Sequence, residues 1–422
     1  MYARTRWRLS GMMALLYAVQ GAFWPILAVH LHELGIDGRQ RGRIFATLAI
    51  GSFLMPLGAG QLVDRLMATQ NFLAIVYALG TTILVALACG VTSRPEAIFG
   101  WFLAYWLITA PATGLATSLA LRNLRHAREE FGAVRLWGTI GWMAIGWAVT
   151  AAMLMTGSAH SGQGTYVAFW IASALSLVMS LYCLTLPNTP PLAATDPAGN
   201  GLREALALVR QREVAVLLAT ALGVGLTTPF VYQVLPTFLV HRGLPRGWVT
   251  TVMTLGQVPE VAALAILPGL FHRLRTKWTL ALGILAYALR YGSLAIDPPL
   301  WLAIAGIPLH GIGIACFTVG AQVFIDSRAP SHRRAGAQAL LLVLTAGIGP
   351  LLGSLIAGES ALYFGSGHAL VFVVPCVLNV LMLAAFVLAF RPGLNPGNSH
   401  ATEAVTGEPQ REPLTVSGST GG

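Results

Sequence analysis

Long apolar runs separated by short polar segments recur along the chain as far as residue 390. The runs at 9–32, 66–93, 298–325, 335–358 and 360–390 contain no Asp, Glu, Lys or Arg. A helix of about 18 or more apolar residues can cross the roughly 30 Å hydrocarbon core of a bilayer. The runs show no alternation of period two, which argues against the strands of a membrane barrel. The pattern therefore predicts a helical protein that crosses a membrane many times.

Charged and turn residues divide this pattern into twelve predicted spans. They cover residues 9–32, 42–63, 70–91, 97–120, 134–156, 165–186, 213–239, 248–271, 278–296, 299–325, 335–358 and 367–390. The longest polar insertion, rich in Pro, Ala and Gly, follows the sixth span. The predicted fold class is an all-α integral membrane protein with twelve transmembrane helices in two six-helix halves. Its parts are an N-terminal half at 1–186, a cytoplasmic linker at 187–212, a C-terminal half at 213–391 and a disordered cytoplasmic tail at 392–422.

Composition agrees with that fold, because only 10% of the 422 residues are charged, against about 25% in soluble domains. The distribution of Lys and Arg predicts the orientation. With a cytoplasmic N-terminus, the inner segments hold 18 of these residues and the outer loops hold 6. Both termini are therefore predicted to be cytoplasmic, in the cell (inner) membrane. Arg39, Arg41 and Arg43, in the first outer loop, run against this rule. The net charge of +10 follows from topology, and no nucleic-acid partner is needed to explain it.

Other functional classes find little support in the sequence. The four cysteines lie in apolar runs, and their spacing indicates neither a disulfide framework nor a metal site. An intramembrane enzyme lacks support because HExxH, GxSxG and paired deep aspartates are absent. We therefore expect a monomer that is not an enzyme, with no catalytic residue, no metal and no cofactor.

Three charged residues lie deep inside predicted spans: Arg135, Glu260 and Arg290. Each costs about 2.5–3.5 kcal/mol on insertion scales, so such residues usually face a cavity or a partner. Glu260 is the only acid well inside any span. Arg290, beside Tyr291 in ALRYG, is interpreted as structural, held by packing and hydrogen bonds.

Arg135, Thr139 and Trp142 lie at positions i, i+4 and i+7 and so share one helix face. That face offers a cation, a hydroxyl group and a large ring, which we interpret as the lining of a solute cavity. The alternative is that the Arg135 side chain extends to the cytoplasmic headgroups while Trp142 only packs.

A second polar face carries Gln257 and Glu260 one turn apart, with Pro259 weakening the helix between them. A carboxamide is both donor and acceptor, which suits the edge of a heterocycle. Burial disfavours the charged carboxylate, so Glu260 can hold a proton near neutral pH. The alternative is a structural pair of Glu260 with Arg135 or Arg290.

Two further side chains are candidates for the same cavity. Tyr232 lies in a predicted kinked span between Pro229 and Pro236. His310, in the tenth span, either lines the cavity or is a hydrogen-bonded helix histidine.

The second span closes with Gly60-Gln-Leu-Val-Asp64-Arg65, which resembles the G-x-x-x-D-R motif of the major facilitator superfamily. The resemblance implies a conformational role for Gly60, Asp64 and Arg65 at the cytoplasmic surface. In many secondary transporters built from two such halves, the solute site lies near the midplane between them. The motif says nothing about the solute.

Five segments in order resemble the nucleoside:proton symporter family of that superfamily, with a likeness that runs through all twelve spans. They are VRLWGTIGW at 134–142, LTLPNTPP at 184–191, GQVPE at 256–260, ALRYG at 288–292 and IDSRAPSHRRAGAQALL at 325–341. The resemblance implies that Arg135, Thr139 and Trp142 line the solute cavity. It also implies that Gln257 reads a nucleobase, and that Glu260 takes part in binding and in proton coupling.

The sequence departs from this family in the tenth span, where known members carry an aromatic residue and an Asp. This chain has Ile314 and Ala315 there, and His310 replaces the family's aromatic residue one turn earlier. We expect a proton-coupled secondary transporter that imports a nucleoside or nucleoside-like solute by alternating access, with Glu260 alone coupling the proton. Its partners would be that solute, protons and the lipid bilayer. The alternatives are a proton symporter for a sugar or an aromatic acid, and a non-transporting membrane sensor on the same fold.

Overall fold

The computed structural model of this chain describes residues 2–160, 164–190, 206–330 and 334–391, and across these ranges the protein is helical with no strand. Ten helices of the described chain are long and apolar enough to cross a membrane. One of them, Arg246–Ala295, is interrupted at Arg275, whose φ is 61°, and therefore holds two spans. The helix Gly38–Leu66 supplies the remaining span. The prediction of twelve transmembrane helices in two halves is confirmed, and the chain is a multi-pass membrane protein.

The N-terminal half packs six spans closely. They are Tyr2–Phe23 with Leu27–Glu33 (span 1), Gly38–Leu66 (span 2), Thr69–Ala88 (span 3), Pro95–Asn123 (span 4), Ala127–Met155 (span 5) and Gly164–Cys183 (span 6). Spans 1 and 5 touch through their backbones because Gly141 has no side chain. A Cβ atom there would lie 2.2 Å from the Ala14 carbonyl oxygen. This close approach places the polar face of span 5 directly against span 1.

The C-terminal half follows the same plan with more interruptions. Span 7 consists of Arg212–Thr227, Pro229–Gln233 and Leu235–His241. Span 8 consists of Arg246–Trp248, Val249–Met253, Thr254–Gly256 and the helix from Gln257 to Arg275. Span 9 is the rest of that helix, from Arg275 to Ala295. Span 10 is Leu300–Ala305, Leu309–Gly313, Ile314–Val319 and Gly320–Arg328; span 11 is Arg334–Leu342, Val343–Ile348 and Gly349–Phe364; span 12 is Ala369–Phe372 and Val373–Ala389. Span 7 breaks near its prolines, because a proline nitrogen cannot donate a hydrogen bond. Spans 10 and 11 each contain a π-helical turn, a feature that is frequent at functional sites.

Most helices end within a few residues of the predicted span limits, and the exceptions are span 1, whose helix begins at Tyr2 instead of residue 9, and span 5. The helix of span 5 begins at Ala127, seven residues before the predicted start at 134. The first turns are polar and contain Glu129 and Glu130. A hydropathy pattern detects only the part of a helix that lies in lipid, so it misses these turns.

Some predictions fall outside the described residues. These are the tail from residue 392, most of the linker, and the side chains of the motif residues Gly60, Asp64 and Arg65. The proposed limits of the halves, linker and tail stay predictions.

The helix ends define two faces of the bundle. The linker face carries Asn123, which bonds through its amide to Thr189 of the linker segment at 2.9 Å. The loop face carries the opposite helix ends, including Glu33 and Arg246, which form an ion pair between the two halves. The hydrogen bonds and ion pairs that link described residues of the two halves, among them the backbone bond from Gly247 to Ala159, lie toward the loop face.

Candidate solute and proton site

The Arg135 guanidinium lies where spans 1 and 5 meet. Its central carbon is 4.1 Å from the centroid of the Tyr17 ring, a cation–π contact. Gly138 makes room for this contact, because a Cβ atom there would lie 2.6 Å from the Tyr17 ring. The half-buried Arg135 is therefore held against a ring of the neighbouring helix.

Three aromatic rings meet near the middle of the helices. Trp142 packs edge-on against Tyr232 of span 7, with the ring centroids 6.2 Å apart. Tyr232 in turn lies 6.4 Å from the ring of Trp24 in span 1. Trp142 and Tyr232 remain half-buried, as does Thr139 one turn earlier on span 5. The predicted face of span 5 thus meets the C-terminal half through an aromatic layer.

Gln257 begins the long helix of span 8, directly after the tight turn Thr254–Gly256. Its side chain is buried, and in the amide orientation that matches donors to acceptors its nitrogen donates to the carbonyl oxygens of Met253 at 3.2 Å and Thr254 at 2.7 Å. The carboxamide also lies against the Tyr232 hydroxyl group. Gln257 is therefore fixed in place next to the aromatic layer.

Glu260 lies one turn further along span 8 and is half-buried. Span 10 packs directly against the backbone of Glu260, since a Cβ atom at Gly311 would lie 2.4 Å from the Glu260 backbone nitrogen. Within the described ranges, its carboxylate forms no hydrogen bond and no ion pair. Arg135 is the cation that attracts it electrostatically. A cation of the N-terminal half and a carboxylate of the C-terminal half thus attract each other without forming an ion pair, which differs from the alternative of a structural ion pair.

Arg290 is 1% exposed, and its charge interacts with Tyr232 of span 7 and with Tyr287 and Tyr291 of its own span. Its Nε and Nη1 groups have no hydrogen-bond partner among the described residues. Tyr291 packs near the guanidinium, at 5.8 Å from ring centroid to central carbon, but its hydroxyl group donates to Thr227 instead. The expected packing with Tyr291 is present, whereas the expected hydrogen bonds of Arg290 are missing.

His310 is also buried, and its Nδ1 atom has no partner in the described structure. Its ring lies 6.2 Å from that of Tyr287 and within 3.5 Å of the position that a Cβ of Gly256 would occupy. His310 therefore lies behind the Gln257 segment. Ala315, at the position where the resemblance places an Asp, is fully buried.

Two contributors to this site were not predicted. Tyr17 and Trp24 of span 1 are aromatic residues in an apolar run, which carry no sequence signal of their own. The close packing of spans 1 and 5 at Gly138 brings Tyr17 to Arg135, while Trp24 packs near Tyr232 of span 7. The described residues contain no group of three His, Cys, Asp or Glu side chains that could hold a metal ion.

The chain resembles known proteins in both sequence and fold. A family model described as "Nucleoside H+ symporter" matches residues 3–395. The chain is 30% identical to the transporter YegT of Escherichia coli (strain K12) over 365 residues, 84% of each chain. It is 25% identical to the nucleoside permease NupG of the same organism over 368 residues, which are 82% of this chain and 85% of NupG. A crystal structure of NupG superposes with a TM-score of 0.80 at 23% identity, over 92% of this chain and 100% of that chain.

Proposed function

The chain belongs to the nucleoside H+ symporter family, and from this premise we propose that it imports nucleosides together with protons by alternating access. The observation that carries the proposal is the pair of Arg135 and Glu260. They belong to different halves and attract each other electrostatically, and the Trp142–Tyr232 contact of the aromatic layer joins the same two halves. A solute bound there contacts both halves at once, which is the position that alternating access requires.

The nucleobase packs against the Trp142 and Tyr232 rings, because a flat heterocycle and an aromatic ring stack favourably. Gln257 reads the edge of the base with its carboxamide oxygen, which accepts a hydrogen bond, because its nitrogen already donates to Met253 and Thr254. Thr139 and Arg135, on the same helix face, provide a hydroxyl group and a cation for the sugar or for base oxygens. His310 lines the deeper end of the site in this proposal.

Glu260 carries the coupled proton. Its half-buried carboxylate forms no ion pair and no hydrogen bond with a described residue, so no described protein group competes with a proton for it. Loss of the proton creates a negative charge opposite Arg135, and the attraction between them pulls the two halves together around the site. Protonation weakens that attraction, so the proton biases the equilibrium between the two access states.

The protein is proposed to lie in the cell membrane as a monomer with both termini cytoplasmic, as the excess of Lys and Arg in the inner segments predicts. The linker face is then cytoplasmic. The interhalf bonds toward the loop face support an arrangement in which the site opens to the cytoplasm. The motif of Gly60, Asp64 and Arg65 would act at this cytoplasmic surface when the bundle changes state. No catalytic activity or nucleic-acid partner is part of the proposal.

One observation favours a second candidate, a proton symporter for a sugar or an aromatic acid. Ala315 is 0% exposed and offers no polar group where the resemblance expects an Asp. Recognition of a ribose hydroxyl by that position is therefore lost.

Uptake of labelled nucleosides into proteoliposomes, with and without a proton gradient, tests the proposal. Wild type should accumulate nucleoside only with the gradient. Glu260→Gln mimics the protonated carboxyl group, so it should still exchange nucleoside across the membrane but should not accumulate it. Arg135→Ala should lose both activities while still inserting in the membrane.

The contrary outcomes are separable. Accumulation of a sugar or an aromatic acid but of no nucleoside would favour the second candidate. Nucleoside movement without a proton signal in wild type would show a uniporter. Proton-driven accumulation by Glu260→Gln would place the coupling site elsewhere.

A further inference from the structure

Arg290 is a buried cation without a counter-charge. The side chain is 1% exposed, and Nε and Nη1 find no acceptor in the described part of the chain. Its neighbours are aromatic: Tyr291, at 5.8 Å, and the hydroxyl groups of Tyr232 and Tyr287. No described carboxylate forms an ion pair with it. An unpaired ionised group inside a membrane protein is costly and usually faces a cavity or a ligand.

The guanidinium borders the solute site described above. The Tyr232 hydroxyl group experiences the charges of both Arg290 and Glu260, and its ring packs on Trp142. His310, which Arg290 also influences, has a buried Nδ1 atom without a partner in the described chain. Two unsatisfied nitrogen-bearing side chains of the C-terminal half thus lie at the side of the site that Gln257 and Glu260 occupy.

The charges of the site do not balance. Arg135 and Arg290 are two fixed cations, and Glu260 is the single carboxylate among the described residues of the site. When Glu260 carries its proton, two positive charges remain and no negative charge opposes them. Ala315 cannot supply one. The missing charge is therefore expected from the solute.

We propose that Arg290, assisted by His310, forms a subsite for a negatively charged nucleobase. The transporter then prefers nucleosides whose base has lost a ring N–H proton near neutral pH. This inference rests on the proposed function and narrows its substrate class. An ionised imide presents a carbonyl oxygen beside a deprotonated nitrogen, and a guanidinium edge offers two parallel N–H groups to such adjacent acceptors. The charge of the ionised base is single and delocalised over a flat ring, which suits one guanidinium and the aromatic layer better than a phosphate dianion does.

Calorimetric binding of xanthosine and inosine to the purified full chain tests the subsite. The two share the same sugar, but only the xanthine ring loses a proton near neutrality. Wild type should prefer xanthosine by roughly tenfold where its ring is ionised, the ratio expected from one charge-assisted hydrogen bond. The preference should fall toward one at a pH below that ionisation. Measuring both in a Glu260→Gln background removes the titration of Glu260 from the comparison.

Variants assign the preference to Arg290. Arg290→Gln should bring the xanthosine-to-inosine affinity ratio close to one, and Arg290→Lys should keep part of it because the charge remains. Arg273→Gln, an exposed arginine outside the site, is the matched control and should keep the full ratio. If Arg290→Gln does not fold, the wild-type protein still tests the subsite. Its xanthosine-to-inosine affinity ratio should fall as the pH drops below the ionisation of the xanthine ring.

The outcomes separate the two proposals. If neither nucleoside binds, the proposed function fails. Equal binding of both nucleosides by wild type at every pH would overturn the subsite and leave the function standing. Tighter binding of a nucleoside monophosphate than of xanthosine would overturn the assignment to an ionised base, because the anion would then be a phosphate.

Discussion

The two faces of the bundle differ in how the halves meet. Toward the loop face, spans 2 and 11 cross in backbone contact at Gly42 and Gly358, and Glu33 forms an ion pair with Arg246. At the linker face, bonds between described residues lie within one half, as in the ion pair of Arg328 with Glu213. The solute site is thus sealed on one side by a small set of identifiable contacts. Opening that side requires these contacts to break, and their strengths decide how easily they do.

The seal combines two kinds of contact with different physical character. A glycine crossing depends on shape, because any added atom collides with backbone. An ion pair depends on charge and on exclusion of water, so its contribution falls as exposure rises. Substitutions at each kind of contact should therefore shift the access equilibrium by different amounts.

The largest effect is expected at the glycine crossing. In Gly358→Val, the added Cβ would lie 2.8 Å from the Gly38 carbonyl oxygen and 2.9 Å from the Gly42 Cα. Backbone atoms cannot move aside cheaply, so closure of the loop face should cost about 1–3 kcal/mol more. Uptake should be nearly lost, and a reporter cysteine placed at the buried Thr237 should label from the loop side. The exposed Cys89 is replaced in this background.

Gly132→Val is the matched control, because a Cβ atom at Gly132 meets nothing within 4 Å. It should retain uptake and should leave the Thr237→Cys reporter protected. If Gly358→Val transports like wild type, the crossing of spans 2 and 11 is not needed for closure, and the ion pairs alone hold the loop face.

The same comparison shows what sequence patterns can predict. The twelve spans were predictable because a helix that crosses lipid must be long and uncharged. For example, the span predicted at 70–91 is the observed helix Thr69–Ala88. Arg135 and Glu260 could also be predicted as site residues, because charged side chains are rare inside membrane spans. The interhalf contacts were not predictable. Arg39 was noted only as an exception to the charge rule, and its partner Glu359 lies 320 residues away.

Tyr17 illustrates the same limit inside the site. Its contact with Arg135 depends on the crossing of spans 1 and 5 at Gly138. No local pattern encodes which helices cross, because a glycine in an apolar run serves equally for packing against any neighbour. Charges in lipid can therefore be found from sequence, whereas the aromatic surfaces that surround them require the packed structure.

A smaller effect is expected at the ion pair of Glu33 and Arg246, whose side chains are 15% and 35% exposed. Glu33→Gln leaves Arg246 without its anion at a partly buried position, which should weaken closure by about 1–2 kcal/mol, between the values for exposed and buried pairs. The Thr237→Cys reporter should label several-fold faster, and uptake should fall only in part. Arg246→Gln should give at least the same shift, because it also removes the bond to the His160 carbonyl oxygen, and the double variant should add little to Arg246→Gln. Fully additive shifts would mean that the two residues act separately.

The smallest effect is expected for Arg39→Gln. Arg39 bonds both oxygens of Glu359, at 2.6 and 2.9 Å, but the side chains are 53% and 52% exposed. Water and salt compete for such a pair, so its loss should change reporter labelling only slightly at low salt. At about 1 M salt, where the screening length is about 3 Å, the difference from wild type should vanish. Glu33→Gln should keep most of its effect in the same salt, since its pair is shielded from water.

The contrary outcome is that Arg39→Gln opens the loop face as strongly as Glu33→Gln does. That result would mean that the exposure of an ion pair does not determine its contribution to closure. The position of Arg39 beside the glycine crossing would then have to explain the contribution of its pair.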